Sequence, residues 1–186
     1  TDPDTIKALL YATQDQARVV RIRAAGSLSG YASSSLPAYD RDRLGKAVEE
    51  MLASWRSRPD QWSAYYNLGN YYAKIGQPNQ ALKNYKTALE IEPDNVPVLV
   101  NLAMLYARQK EADKAEAALR QAVATEPENP EANLNLGLLL AEQGETDGAV
   151  EALRRALKTR PMLAQAAYNL GVLLAKEEPA QALGYC

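Results

Sequence analysis

The 186 residues include no histidine, no phenylalanine and a single cysteine, Cys186. Without histidine, the usual base of a hydrolytic triad is missing, and covalent haem attachment through Cys-x-x-Cys-His is excluded. One cysteine makes no intramolecular disulfide and leaves the compartment open. No unbroken run of 18 apolar residues occurs, so no segment is expected to insert into a membrane. Positive charge is scarce too: 21 Lys and Arg against 23 Asp and Glu give a net charge of −2, which argues against nucleic acid or an anionic membrane as partner. The local basic cluster of Arg18, Arg21, Arg23, Arg41, Arg43 and Lys46 reads as a solvated helix face. The carboxylate pairs Glu49-Glu50, Glu126/Glu128 and Glu177-Glu178 read as solvated charge. There is no glycine-rich phosphate loop and no metal-ligand spacing. No catalytic residue, cofactor or metal is therefore expected. Hydrophobic residues still make up 47% of the chain, so Leu, Ala, Tyr and Val must fill its packing seams.

What the chain does have is a period. Asn67, Asn101, Asn135 and Asn169 stand 34 residues apart, and each opens an Asn-Leu-Gly or Asn-Leu-Ala tripeptide. Ala81, Ala115 and Ala149 keep the same step, as do Ala88, Ala122 and Ala156, Leu89, Val123 and Leu157, and Pro93, Pro127 and Pro161. A period of about 34 residues is that of a solenoid of helical hairpins. Small residues recur where two helices approach closely, and large apolar ones recur where a helix buries a stripe. The prolines follow the second helix of each unit and stop it. Gly76 and Gly144 fall between the two helices, where a left-handed residue closes the first.

These residues resemble the tetratricopeptide repeat (TPR) family. The first unit reads Tyr65, Leu68, Gly69, Tyr72, Ala81, Tyr85, Ala88, Pro93. The second reads Leu99, Leu102, Ala103, Tyr106, Ala115, Leu119, Ala122, Pro127, and the third Asn133, Leu136, Gly137, Leu140, Ala149, Leu153, Ala156, Pro161. The resemblance implies an all-α, right-handed superhelical solenoid over 62–186, with units 62–95, 96–129, 130–163 and a partial 164–186. In that last unit Lys176-Glu177-Glu178-Pro179 is expected to make a shortened turn. Ala182 to Cys186 then read like Ala81 to Tyr85, so the array is expected to end uncapped, early in a second helix, where it could stack end to end into an oligomer or filament.

Upstream, Pro59 and Ala47 extend the period backwards, and Leu44, Val48, Met51, Leu52 and Trp55 form a helical stripe. Residues 41–61 are expected to form a capping helix standing where a unit's second helix would be, with the first helix missing. Residues 29–40 read as a Ser-rich linker. Residues 1–28 read as a short helical extension of two helices, about 3–13 and 15–28, with Asp2 as N-cap and Pro3 in the first turn. The run Val19 to Leu28 resembles one helix of a HEAT-type repeat. The order HEAT-like helices, linker, TPRs resembles the C-terminal part of some large bacterial multihaem c-type cytochromes, which would imply a periplasmic or extracellular setting.

In the TPR architecture the first helix of each hairpin lines a concave face, and steps of 3 and 4 from each asparagine give its residues. The expected groove is Tyr66, Asn67, Asn70, Lys74, Val100, Asn101, Met104, Arg108, Leu134, Asn135, Leu138, Tyr168, Asn169 and Val172. Two features suggest a ligand. A ladder of amides offers donor and acceptor to the backbone of an extended peptide. Val100, Met104, Leu134, Leu138 and Val172 form an apolar strip flanked by Tyr66 and Tyr168. Each has a plainer alternative: the asparagine is a common repeat residue meeting water or a neighbouring helix, and the strip is buried between hairpins. Some family members clamp a C-terminal carboxylate. Asn70 and Asn101 match that clamp, but Tyr66, Glu131 and Asn135 stand where its cations belong. The expected function is a non-catalytic scaffold binding a peptide or protein segment. The alternatives are end-to-end assembly, or residues 1–28 folding back into the groove.

Overall fold

The computed structural model describes residues 2–31 and 35–177. Among them are ten α-helices and no strand: α1 (Pro3–Ala12), α2 (Arg18–Leu28), α3 (Ala38–Arg56), α4 (Trp62–Lys74), α5 (Pro78–Ile91), α6 (Val96–Arg108), α7 (Ala112–Thr125), α8 (Pro130–Gln143), α9 (Thr146–Thr159) and α10 (Ala164–Glu177). The fold is an all-α helical repeat, divided into two compact units, Thr1–Ile91 and Glu92–Cys186.

Short polar residues start the helices. The Asp2 carboxylate accepts from the amides of Asp4 and Thr5 at 3.0 Å each. Asn95 and Asn129, one period apart, accept from the amides of Val98 at 3.2 Å and Ala132 at 3.0 Å. Each has a proline in its first turn, where no amide hydrogen is needed. Between the two helices of each unit, Gly76, Lys110 and Gly144 take the left-handed conformation, with φ of 74°, 62° and 82°.

Within a unit the helices approach closely because small residues line the contact. Ala81, Ala88, Ala115, Ala122, Ala149 and Ala156 are fully buried. A Cβ on Gly69 would lie 2.5 Å from the Tyr85 ring, and one on Gly137 would lie 2.7 Å from Cγ of Leu153. The next hairpin then closes the seam. In the second unit Leu134, Leu153, Ala156, Ala166, Leu170 and Leu174 form one core shared by α8, α9 and α10. Each leucine removed from water there contributes about 1.5–3 kcal/mol. Lys158 to Glu128 at 2.9 Å and Arg160 to Glu131 at 2.6 Å are solvent-exposed ion pairs of about 0–1 kcal/mol each, so the apolar seam dominates.

The N-terminal region differs from expectation. The first helix thought missing is α2. Its Arg21 donates to both carboxylate oxygens of Glu50 on α3, at 2.7 Å each. The Met51 sulfur lies 3.6 Å from where a Cβ on Gly26 would stand. Ala25 shares a core with Ala47 and Met51, and Leu28 shares another with Leu44. Contacts that climb α2 therefore descend α3, and the two form an antiparallel hairpin on which α1 also packs. Ala47 and Met51 stand 34 residues before Ala81 and Tyr85, but Gly26 stands 43 before its counterpart Gly69. The extra residues lie partly in the longer connection from Leu28 to Ala38 and partly in α3, which begins nine residues before Ala47 where α5 begins three before Ala81. That connection is shorter than the expected linker, because α3 begins directly after Pro37. The second helix starts at Arg18 rather than 15, after a turn in which the Asp15 carboxylate accepts from the Ala17 amide at 2.7 Å. At the other end, Lys176 and Glu177, expected to open a turn, still belong to α10. Residues 178–186, on which the expected uncapped second helix falls, lie outside the described residues.

Candidate functional site

On α4 in the first unit, Tyr66 and Asn67 are half-buried, and the Tyr66 ring lies 6.1 Å from that of Trp62 and 6.4 Å from that of Tyr85. Asn70, expected in the groove, is engaged within the hairpin: its Oδ1 accepts from the Tyr85 hydroxyl at 2.7 Å and ties α4 to α5. Lys74 is likewise engaged. Its ammonium lies 3.4 Å from the carbonyl oxygens of both Gly26 and Ser27, at the end of α2 where helix carbonyls concentrate negative charge.

In the second unit α8 packs against both α6 and α10, so equivalent residues of the three first helices form columns. One column is Asn101, Asn135 and Asn169, all half-buried. The Nδ2 groups of Asn135 and Asn169 donate at 2.8 Å to the carbonyl oxygens of Glu131 and Gln165, four residues back. That bond pins each amide and uses one N–H. By valence the other N–H and the oxygen remain to bond elsewhere. A second column is Met104, 41% exposed, Leu138, half-buried, and Val172, 46% exposed.

The third column splits. Tyr168 is 70% exposed, whereas Val100 is only 6% and Leu134 only 9% exposed. Val100 and Leu134 are therefore not groove residues. Leu134 belongs to the core that α8 shares with α10. Arg108 is exposed in the last turn of α6, beyond these columns, which hold no charged residue. The helix positions that make columns are legible in the period. Which members are covered depends on the neighbouring hairpin, which the period does not specify. Among the described residues no group of His, Cys, Asp or Glu could hold a metal, and no helix is long and apolar enough to cross a membrane.

Two profiles of the tetratricopeptide repeat match, one over residues 62–95 and the other over 100–161 and 134–186. The chain belongs to the tetratricopeptide repeat family. Among solved structures it is similar to MamA, with 22% identity over 81% of this chain and 91% of that one and a TM-score of 0.67. It is also similar to YrrB, described as a TPR protein with an unusual peptide-binding site, at 23% identity over 97% and 89% with a TM-score of 0.59. The first TPR of Spaghetti (RPAP3), solved with the HSP90 peptide SRMEEVD, is 24% identical over 68% and 95%, with a TM-score of 0.59. At these identities the likeness is one of fold. No curated protein gives a significant sequence match.

Proposed function

We propose that this TPR protein is a non-catalytic interaction scaffold whose second unit holds an extended peptide or protein segment against α6, α8 and α10. The observation that carries this reading is the ladder of Asn101, Asn135 and Asn169 beside a column of exposed Met104, half-buried Leu138 and exposed Val172. Side-chain amides, two of them pinned at Asn135 and Asn169, can bond a peptide backbone whatever its sequence, while the apolar column and Tyr168 accept its side chains. Exposed apolar residues gathered on one face mark a contact surface rather than scattered background. The peptide-binding site described for YrrB and the peptide bound to Spaghetti belong to other chains of this fold, and they support the reading without carrying it. The residues standing at the cationic places of the carboxylate clamp argue against an acidic chain end as the ligand.

The test starts from peptides selected from a display library for binding to the intact chain. Their affinity is measured by calorimetry for the wild type and for the triple variant Asn101→Ala, Asn135→Ala, Asn169→Ala. Each lost amide contact is worth about 0.5–1.5 kcal/mol, so binding should weaken by roughly tenfold or more with the helical circular dichroism unchanged. Val172→Asp should have a similar effect. Undiminished affinity in the triple variant would sink the proposal.

A further inference from the structure

We propose a second binding site, in the crevice between α7 and α9, which takes a tryptophan side chain of a polypeptide with Asn133 as its hydrogen-bond acceptor. The crevice has a volume of about 390 Å³, inside the range of about 300–1,000 Å³ typical of small ligand sites. Val123, Ala124, Leu136, Leu140 and Ala152 give it apolar walls, and Asn133 lines it from α8. It shares α8 with the asparagine ladder but none of the ladder's residues, and does not depend on the reading given above.

Asn133 is the unusual member. It is 0% exposed, and its Oδ1 is buried with no hydrogen-bond partner. Its Nδ2 donates to the carbonyl oxygens of Pro127 at 2.9 Å and Asn129 at 2.8 Å. Turning the amide over would set its oxygen against those two oxygens, so the unpaired acceptor is fixed in place. At the same position of the two preceding repeats stand Tyr65 and Leu99, and in the following one Ala167. A short amide has thus replaced a large side chain, removing apolar volume and leaving an acceptor. An occupant that restores both is a flat apolar body with one donor and no acceptor, which among side chains is the indole.

The mouth of the crevice favours a neutral group. Arg120 is paired with Glu116 at 2.6 Å, and Arg155 is paired with Glu151. The Asn133 oxygen is sealed from water, so the occupant must part the lining. The half-exposed arginine side chains are its movable part, and a guanidinium can lie over an aromatic face.

The intact chain, labelled at alanine and leucine methyls, would be titrated with N-acetyltryptophanamide, indole and 1-methylindole and followed by NMR. Saturable shifts at Leu136, Leu140 and Ala152 are expected with the first two. 1-Methylindole, which has no N–H, should bind about tenfold more weakly. Asn133→Leu should abolish that preference, and Asn133→Tyr should block all three. Absence of saturable shifts, or equal affinity of the wild type for indole and 1-methylindole, would overturn the site. Binding of indole without N-acetyltryptophanamide would overturn its polypeptide source. The wild-type comparison decides even if a variant fails to fold.

Discussion

Lys110 occupies a left-handed turn position that the neighbouring repeats give to Gly76 and Gly144. The conformation is imposed by how the first helix ends. The amides of Gln77, Glu111 and Glu145 each donate to a carbonyl five residues back, that of Tyr72, Tyr106 and Leu140, at 2.8, 3.0 and 2.9 Å. That bond requires a left-handed residue just before its donor, whatever the residue is. A side chain there crowds its own backbone at a cost of about 1 kcal/mol, which glycine avoids. Glycine also loses more entropy on folding, which offsets part of the gain. Lys110→Gly is therefore expected to raise unfolding stability by about 0.5 kcal/mol, read as a higher urea midpoint at unchanged slope. Lys110→Ala, which keeps the Cβ, should give no such gain. The two glycines are legible as turn residues from sequence. The lysine is not, because its geometry is fixed by a backbone bond.

The hairpin is the element that the sequence makes legible, and only while its internal spacing holds. Gly26 faces Met51 in the place where Gly69 faces Tyr85, yet the lengthened connection after Leu28 and the earlier start of α3 move it out of register and hide α2 from a search at 34 residues. The same close approach sets a mutational contrast. On Gly69→Ala the new methyl meets the Tyr85 ring at 2.5 Å, and that ring is held through its hydroxyl by Asn70. On Gly137→Ala it meets Cγ of the buried Leu153 at 2.7 Å and the Ala149 carbonyl oxygen at 3.2 Å, but the second repeat already accommodates Ala103 opposite Leu119 at this position. Overpacking should cost Gly69→Ala about 1–3 kcal/mol. In Gly137→Ala the gain of roughly 1 kcal/mol in helix propensity should bring the net change near zero. Equal losses in chemical denaturation would contradict this account. The α2–α3 hairpin adds a pH dependence. Hydrogen bonds from Arg21 hold the Glu50 carboxyl below its ordinary range against the opposing effect of burial, with the charges of Arg21 and Arg18 adding to the lowering. A lowered folded-state value means that stability is present above the unfolded value of roughly 4.3 and lost as pH falls through the folded one. Wild type should thus be more stable than Glu50→Gln at neutral pH, and the two should converge as pH falls through the folded value. A gap that persists at lower pH in thermal melts would show that the difference is not ionic.

At the scale of the whole molecule, order along the chain governs energetics. Within each unit the packed pairs are helices adjacent or next but one in sequence, such as α1 with α3, α6 with α8 and α8 with α10. A repeat array of this kind has a stability close to a sum of repeat and nearest-neighbour terms, so damage should remain local. The same locality explains why the binding face is only half legible. The period puts Leu134 and Tyr168 at one position, but α10 packs over the first, while the second, on α10 itself, is 70% exposed. Leu153 tests the principle, because it is fully buried in the core that joins α8, α9 and α10. Leu153→Ala removes several methylene-sized groups from that core and should cost about 2–5 kcal/mol there. Native-state hydrogen exchange should then show protection lost mainly in α8, α9 and α10, less in α6 and α7, and hardly at all in the amides of α2 and α3. If protection instead falls by the same amount in all ten helices, the chain unfolds as one cooperative block. Nearest-neighbour packing would then not be the term that sets its stability.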